Sequence, residues 1–117
     1  MHNFKELEVW NNSMDLATSI YKVTEFFPQE ERFGITSQMR RASVSIPSLI
    51  AEGAGRNTNK DFANFIGMAI GSCYELETQL ILSSRLNLRK ENTFKTVLED
   101  CLHVAKMLVN FKKTLNT

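Results

Sequence analysis

Apolar and polar positions along this chain recur with helical rather than strand periodicity. From Leu7 to Phe27, stepping ~100° per residue places Leu7, Val9, Trp10, Met14, Leu16, Ala17, Ile20, Tyr21, Val23 and Phe27 on an arc of about 200°. The opposite strip holds Asn11, Asn12, Asp15, Thr18 and Lys22, with Phe26 its one large apolar residue. A helix facing one core needs an apolar stripe only a little wider than ~100°. The surplus predicts either two neighbours within a bundle or a subunit interface. Phe27-Pro28 ends the segment, because the residue before proline is pushed out of helical geometry.

The next helix is predicted from about Phe33 to Gly53. Ile35, Met39, Ala42, Ile46, Leu49 and Gly53 step by four and three residues, which is a heptad seam. Ser37, Arg41, Ser45, Ser48, Glu52 and Arg56 form the opposite polar strip. Pro47 cannot donate to the carbonyl of Ser43, so a kink or break is expected there, with Ser43, Ser45 or Ser48 able to satisfy the freed group. Thr58-Asn59-Lys60-Asp61 reads as a capping box opening the third helix, with seam Phe62, Ile66, Ala69, Cys73, Leu76 and Leu80. Ala63, Gly67 and Gly71 add a small-residue strip expected to pack tightly within the bundle. The fourth helix, capped by Asn92, buries Phe94, Val97, Leu98, Cys101, Val104, Ala105, Leu108, Phe111 and Leu115. The expected fold is all-α: one antiparallel up-down-up-down four-helix bundle over residues 1–117, with helices at about 7–27, 33–54, 58–86 and 92–115.

Composition fits that picture. The 117 residues suffice for one core, and with only 5 Gly and 2 Pro there are too few turn signals for an all-β fold. The net charge of +1 removes bulk basicity as an argument for nucleic acid, yet it conceals a pattern. Residues 1–31 carry −4, 32–56 carry +3, 57–84 carry −2 and 85–117 carry +4. Cys73 and Cys101 have no metal-type spacing, and nothing in Met1 to Trp10 resembles an export signal. A reducing cytoplasm is the expected location, with no membrane association.

Candidate chemistry is sparse. Glu99 or Asp100 with His103 offers only a partial copy of a bundle metal site. The cysteines occupy seam positions with no base beside them, so no catalytic residue, metal or cofactor is expected. Arg40 and Arg41 face a helix carrying Glu75 and Glu77, which predicts interhelical ion pairs or, alternatively, an open basic groove. Arg85, Arg89 and Lys90 surround the last turn, with Lys60, Lys112 and Lys113 as candidate neighbours in a phosphate-binding surface; an ordinary solvated turn is the other reading.

The stretches GITSQMRRASVSIPSLIAEGAGR (34–56) and NKDFANFIGMAIGSCYELETQLILS (59–83), preceded by FKELEVW and FPQEERFG, carry a specific resemblance. The chain resembles the bacterial four-helix-bundle family encoded in intervening sequences of 23S ribosomal RNA genes. The match departs at Leu49, where the family typically has Asn. Arg41, Ser45, Glu52, Gly53, Glu75 and Glu77 match characteristic family positions, to which mainly structural roles are assigned. The chain is also similar to the accessory proteins of diversity-generating retroelements, which are basic pentamers that bind nucleic acid and a reverse transcriptase. The resemblance implies a non-enzymatic homopentamer whose partner is RNA or a nucleic-acid-processing protein. A protein–protein scaffold that never touches nucleic acid is the alternative.

Overall fold

The computed structural model describes residues 3–115, of which four long helices make up most. They are α1 (Glu8–Glu25), α2 (Ile35–Ala54), α3 (Asn59–Arg85) and α4 (Glu91–Leu115). Short 3-10 turns lie at Phe4–Glu6 and Gln29–Glu31. Each helix packs against its two neighbours in the ring α1–α2–α3–α4, with α1 closing against α4, and the backbones of diagonal helices stay further apart across the shared core. Successive helices run antiparallel in a rod of 44 × 22 × 20 Å. Among the described residues no helix is long and apolar enough to cross a membrane.

Local chemistry accounts for most of the helix ends. Thr58, in extended conformation, accepts a hydrogen bond from the Asp61 amide at 3.1 Å, so the expected cap of α3 forms. At its other end Asn87 takes φ 55°, a left-handed conformation that Asn tolerates better than most side chains. The Leu88 amide then donates to the Ser83 carbonyl and the Asn87 amide to the Ser84 carbonyl, the paired bonds of a Schellman motif. Helix α1 stops at Glu25 rather than Phe27, because the Phe27 amide turns back to the Thr24 carbonyl at 3.0 Å. Helix α4 already begins at Glu91, so Asn92 lies inside it and is not its cap.

The predicted seams form most of the core, although Ile35 of α2 and Leu98 and Phe111 of α4 are only half-buried against it. In α3, Phe62, Ile66, Ala69, Cys73, Leu76 and Leu80 are all buried. In α2, Met39, Ala42 and Ile46 are buried as expected, but burial then passes to Ile50 and Ala54 while Leu49 is only half-buried against the core. A helix of 3.6 residues per turn slips gradually off a strict seven-residue repeat. Helix α2 also runs unbroken through Pro47. The Ser43 hydroxyl donates to the Arg40 carbonyl and that of Ser45 to the Arg41 carbonyl, so neither takes up the carbonyl freed by the proline.

The small-residue strip of α3 does not pack as expected. A Cβ built on Gly71 would meet no atom of the chain within 4 Å, and one on Gly67 would meet only the Lys112 side chain. The close approach is instead at Gly53, whose Cβ would stand 2.7 Å from both Phe62 Cδ1 and Phe65 Cβ. Only a glycine lets the end of α2 come this near the start of α3.

Candidate functional site

The antiparallel bundle separates the basic candidates into two groups. Arg85, Arg89 and Lys90 lie where α3 turns into α4; Lys60 opens α3, and Lys112 and Lys113 close α4. Phe62 packs edge-on against Phe111 with ring centroids 5.4 Å apart, which puts the start of α3 beside the end of α4. The ~25 helical steps between Lys60 and Arg85 amount to ~37 Å, so the expected single cluster is two clusters at opposite ends of the rod. The acidic Asp15, Glu75, Glu77, Glu99 and Asp100 occupy the belt between them. In space the segment pattern of −4, +3, −2, +4 puts basic groups at both ends of the rod and an acidic waist between them, but both ends also carry carboxylates: Glu25, Glu30 and Glu31 at the α3–α4 turn end, and Glu6, Glu8, Glu52 and Asp61 at the end that holds Lys60.

At that turn end, Arg89 serves the fold. Its Nη1 donates to the Val23 carbonyl at 2.9 Å, and its guanidinium lies 5.1 Å from the centre of the Phe26 ring. Arg40 acts on the same last turn of α1: Nε donates to Thr24 Oγ1 at 2.9 Å, Nη2 to the Tyr21 carbonyl at 3.3 Å, and the guanidinium sits over the Tyr21 ring at 4.6 Å. Two arginines, one from α2 and one from the α3–α4 turn, thereby meet the negative, carbonyl-bearing end of α1. The expected pairing of Arg40 with Glu75 or Glu77 is replaced by this contact with α1. Arg41 and Glu75, both exposed, line one shallow depression with Ser45, and no hydrogen bond joins them. Glu77 is half-buried, and its charge adds to the burial that raises both cysteine thiols. Glu52 is exposed, and Gly53 is buried at the α2–α3 corner. Arg85 and Lys90 remain exposed, as do Lys60 and Lys113, while Lys112 is half-buried.

Two apolar grooves open on the surface. One, of about 520 Å³, lies between α1 and α2 and is lined by Phe4, Trp10, Met14, Tyr21, Val44 and Pro47 among others, none of them charged. Met14, Tyr21 and Val44 are each more than two-fifths exposed. This groove is where the surplus apolar arc of α1 goes. The other, of about 530 Å³, lies between the end of α3 and the start of α4 and includes Arg85 and Lys95 in its lining. Sequence reading passed over Lys95; its only signal is its place one turn into α4, beside the seam residue Phe94.

Little here resembles a catalytic centre. Cys101 Sγ donates weakly to the Cys73 carbonyl at 3.4 Å, and burial pushes both thiols up to about 12, far from a reactive thiolate. Asp15, Asp100 and His103 line a depression between α1 and α4, but no group of three or more His, Cys, Asp or Glu among the described residues is arranged to hold a metal ion.

Comparison with known proteins agrees with the architecture. No curated protein sequence matches the chain. A crystal structure at 1.70 Å of a protein with unknown function from the S23 ribosomal protein family, from Bacteroides thetaiotaomicron VPI-5482, superposes with a TM-score of 0.83. The two are 24% identical, and the match covers 90% of this chain and 98% of that one, a likeness of fold. Residues 5–110 match the family described as 23S rRNA-intervening sequence protein. With nearly the whole bundle inside that match, the chain belongs to the 23S rRNA-intervening sequence protein family.

Proposed function

We propose that the protein is a non-enzymatic, cytoplasmic homo-oligomer, a pentamer as the resemblance implies, that binds RNA or a ribonucleoprotein partner through the basic ends of its bundles. The observation that carries this reading is the set of exposed basic side chains at the two ends of the rod, Arg85 and Lys90 at one and Lys60 and Lys113 at the other, interspersed there with carboxylates. One bundle presents too few cations for firm phosphate binding. Copies aligned by symmetry present the same end several times over, and multivalency supplies the affinity. The uncharged groove between α1 and α2 is the surface that suits self-association.

The test substitutes Arg85→Glu with Lys90→Glu and leaves Arg89 in place, because Arg89 holds α1. Gel shifts with structured RNA should weaken at least ~10-fold in the variant and fall steeply with salt in the wild type. Light scattering should give a multiple of the chain mass for both proteins. No shift at low salt refutes RNA binding, and a monomer mass refutes assembly. An oligomer that binds no RNA yet captures a protein partner equally well with both versions supports the scaffold reading, which the internal engagement of Arg89 and Arg40 favours.

A further inference from the structure

We propose that the groove between the end of α3 and the start of α4 binds a small anionic amphiphile: an apolar acyl or aromatic body carrying a carboxylate, sulfonate or phosphate. Leu80 and Phe94, both nearly fully buried, form its floor, with Ile81 and Leu98 as walls. Arg85 and Lys95, both exposed, stand at its rim, and Ser84 and Asn92 add neutral hydrogen-bonding groups. No acidic side chain is among the described residues that line it. The pairing of an apolar floor with a cationic rim is particular to this groove, since the one between α1 and α2 has no charged lining residue.

Size selects the occupant. The walls run from Leu80 to Arg85 on α3 and from Asn92 to Leu98 on α4, ~8–9 Å along the helix axes. A docked amphipathic helix spreads its anchors over positions i to i+7, ~10.5 Å, and would overrun the groove. The volume of about 530 Å³ lies within the range of small-molecule sites, roughly 300–1,000 Å³. The apolar body rests on Leu80, Ile81, Phe94 and Leu98, and the anionic head meets Arg85 and Lys95 through charge-assisted hydrogen bonds.

The test titrates the full chain with anilinonaphthalene sulfonate and competes the dye with octanoate, octyl phosphate and octyltrimethylammonium, each below its micellar concentration. The dye should saturate near about one per chain, and both anions should displace it at least ~10-fold more effectively than the quaternary ammonium. Arg85→Glu with Lys95→Glu should reverse that order. Ile81→Asp, at an exposed position, should abolish dye binding while helical content and RNA gel shift stay as in the wild type. Carboxylate and phosphate arms together show which head group is preferred. Non-saturating dye binding, binding that survives Ile81→Asp, or equal competition by the cation overturns the proposal. So does dissociation of the oligomer by Ile81→Asp, which would mean that a second copy covers the groove. Arg85 belongs both to this groove and to the proposed RNA surface, so the two readings are separated by Ile81→Asp and by Lys90→Glu alone: the first should lose only the dye and the second only RNA.

Discussion

Replacing Gly53 by alanine sets two effects of opposite sign against each other. Alanine is favoured over glycine inside a helix by about 1 kcal/mol. The new Cβ would nevertheless lie 2.7 Å from Phe62 Cδ1 and from Phe65 Cβ, closer than carbon atoms tolerate. Phe62 is 2% exposed and held edge-on against Phe111, so its ring has nowhere to swing. Phe65 Cβ moves only with the backbone of α3. The α2–α3 corner must therefore open, and overpacking of this kind costs ~1–3 kcal/mol. The expected net result is a loss of up to ~2 kcal/mol, or a Tm lower by up to roughly 10 °C for a chain of this size. Gly71→Ala supplies the control: it brings the same gain in helix propensity with no atom of the chain within 4 Å, so it should stabilise by up to ~1 kcal/mol. Thermal and guanidinium unfolding followed by circular dichroism should be run at one protein concentration, because the Tm of an oligomer depends on it. A Gly53→Ala protein as stable as Gly71→Ala would refute the steric argument. A Gly71→Ala protein destabilised as much as Gly53→Ala would show that clearance within one chain does not set the outcome.

Arg89→Ala removes the hydrogen bond to the Val23 carbonyl and uncovers the Phe26 ring, and should cost ~2 kcal/mol in denaturant unfolding, whereas Lys90→Ala at an exposed position should stay within ~0.5 kcal/mol of the wild type. The two thiols give an alkaline signature. Their folded values, raised by burial to about 12 from an ordinary 9.0, mean that their contribution to stability is complete below pH 9 and is lost as pH rises toward 12. Each thiol contributes a slope approaching ~1.4 kcal/mol per pH unit in that window. Urea unfolding from pH 8 to 10.5 should show the decline, and Cys73→Ala with Cys101→Ala should flatten it from a lower starting stability. Gln79 is 7% exposed, and its Oε1 has no hydrogen-bond partner among the described residues. Gln79→Met should therefore raise stability by ~1 kcal/mol, and a loss of similar size would reveal a partner for that oxygen.

Much of the bundle was legible because helical periodicity and burial are the same information read twice. The α3 seam from Phe62 to Leu80 required only spacing, and the α3 cap at Thr58 required only its side-chain chemistry. Asn87 is a stop signal of the same local kind, since Asn is among the few residues that accept a left-handed conformation, although its spacing alone does not single it out from the rest of the turn. Charge was read less well. A long cationic side chain reaches several ångströms in directions that its position on a helical wheel does not settle. Arg40 looked suited to Glu75 across α2–α3, yet it lies over Tyr21 and donates to Thr24 on α1. Arg89 looked like a surface cation and is a tether.

Sequence alone determined that there are four helices, which residues line most of the core, and the family to which the motifs point. Each of these depends on residues near one another along the chain. Tertiary structure alone decided which charges meet. Antiparallel packing carried Lys60, Lys112 and Lys113 to the opposite end from Arg85 and Lys90, and set Asp15, Glu75, Glu77, Glu99 and Asp100 between them. It also decided that Gly53, rather than Gly67 or Gly71, is where two helices come closest, because clearance at a glycine depends on what the partner helix places opposite it.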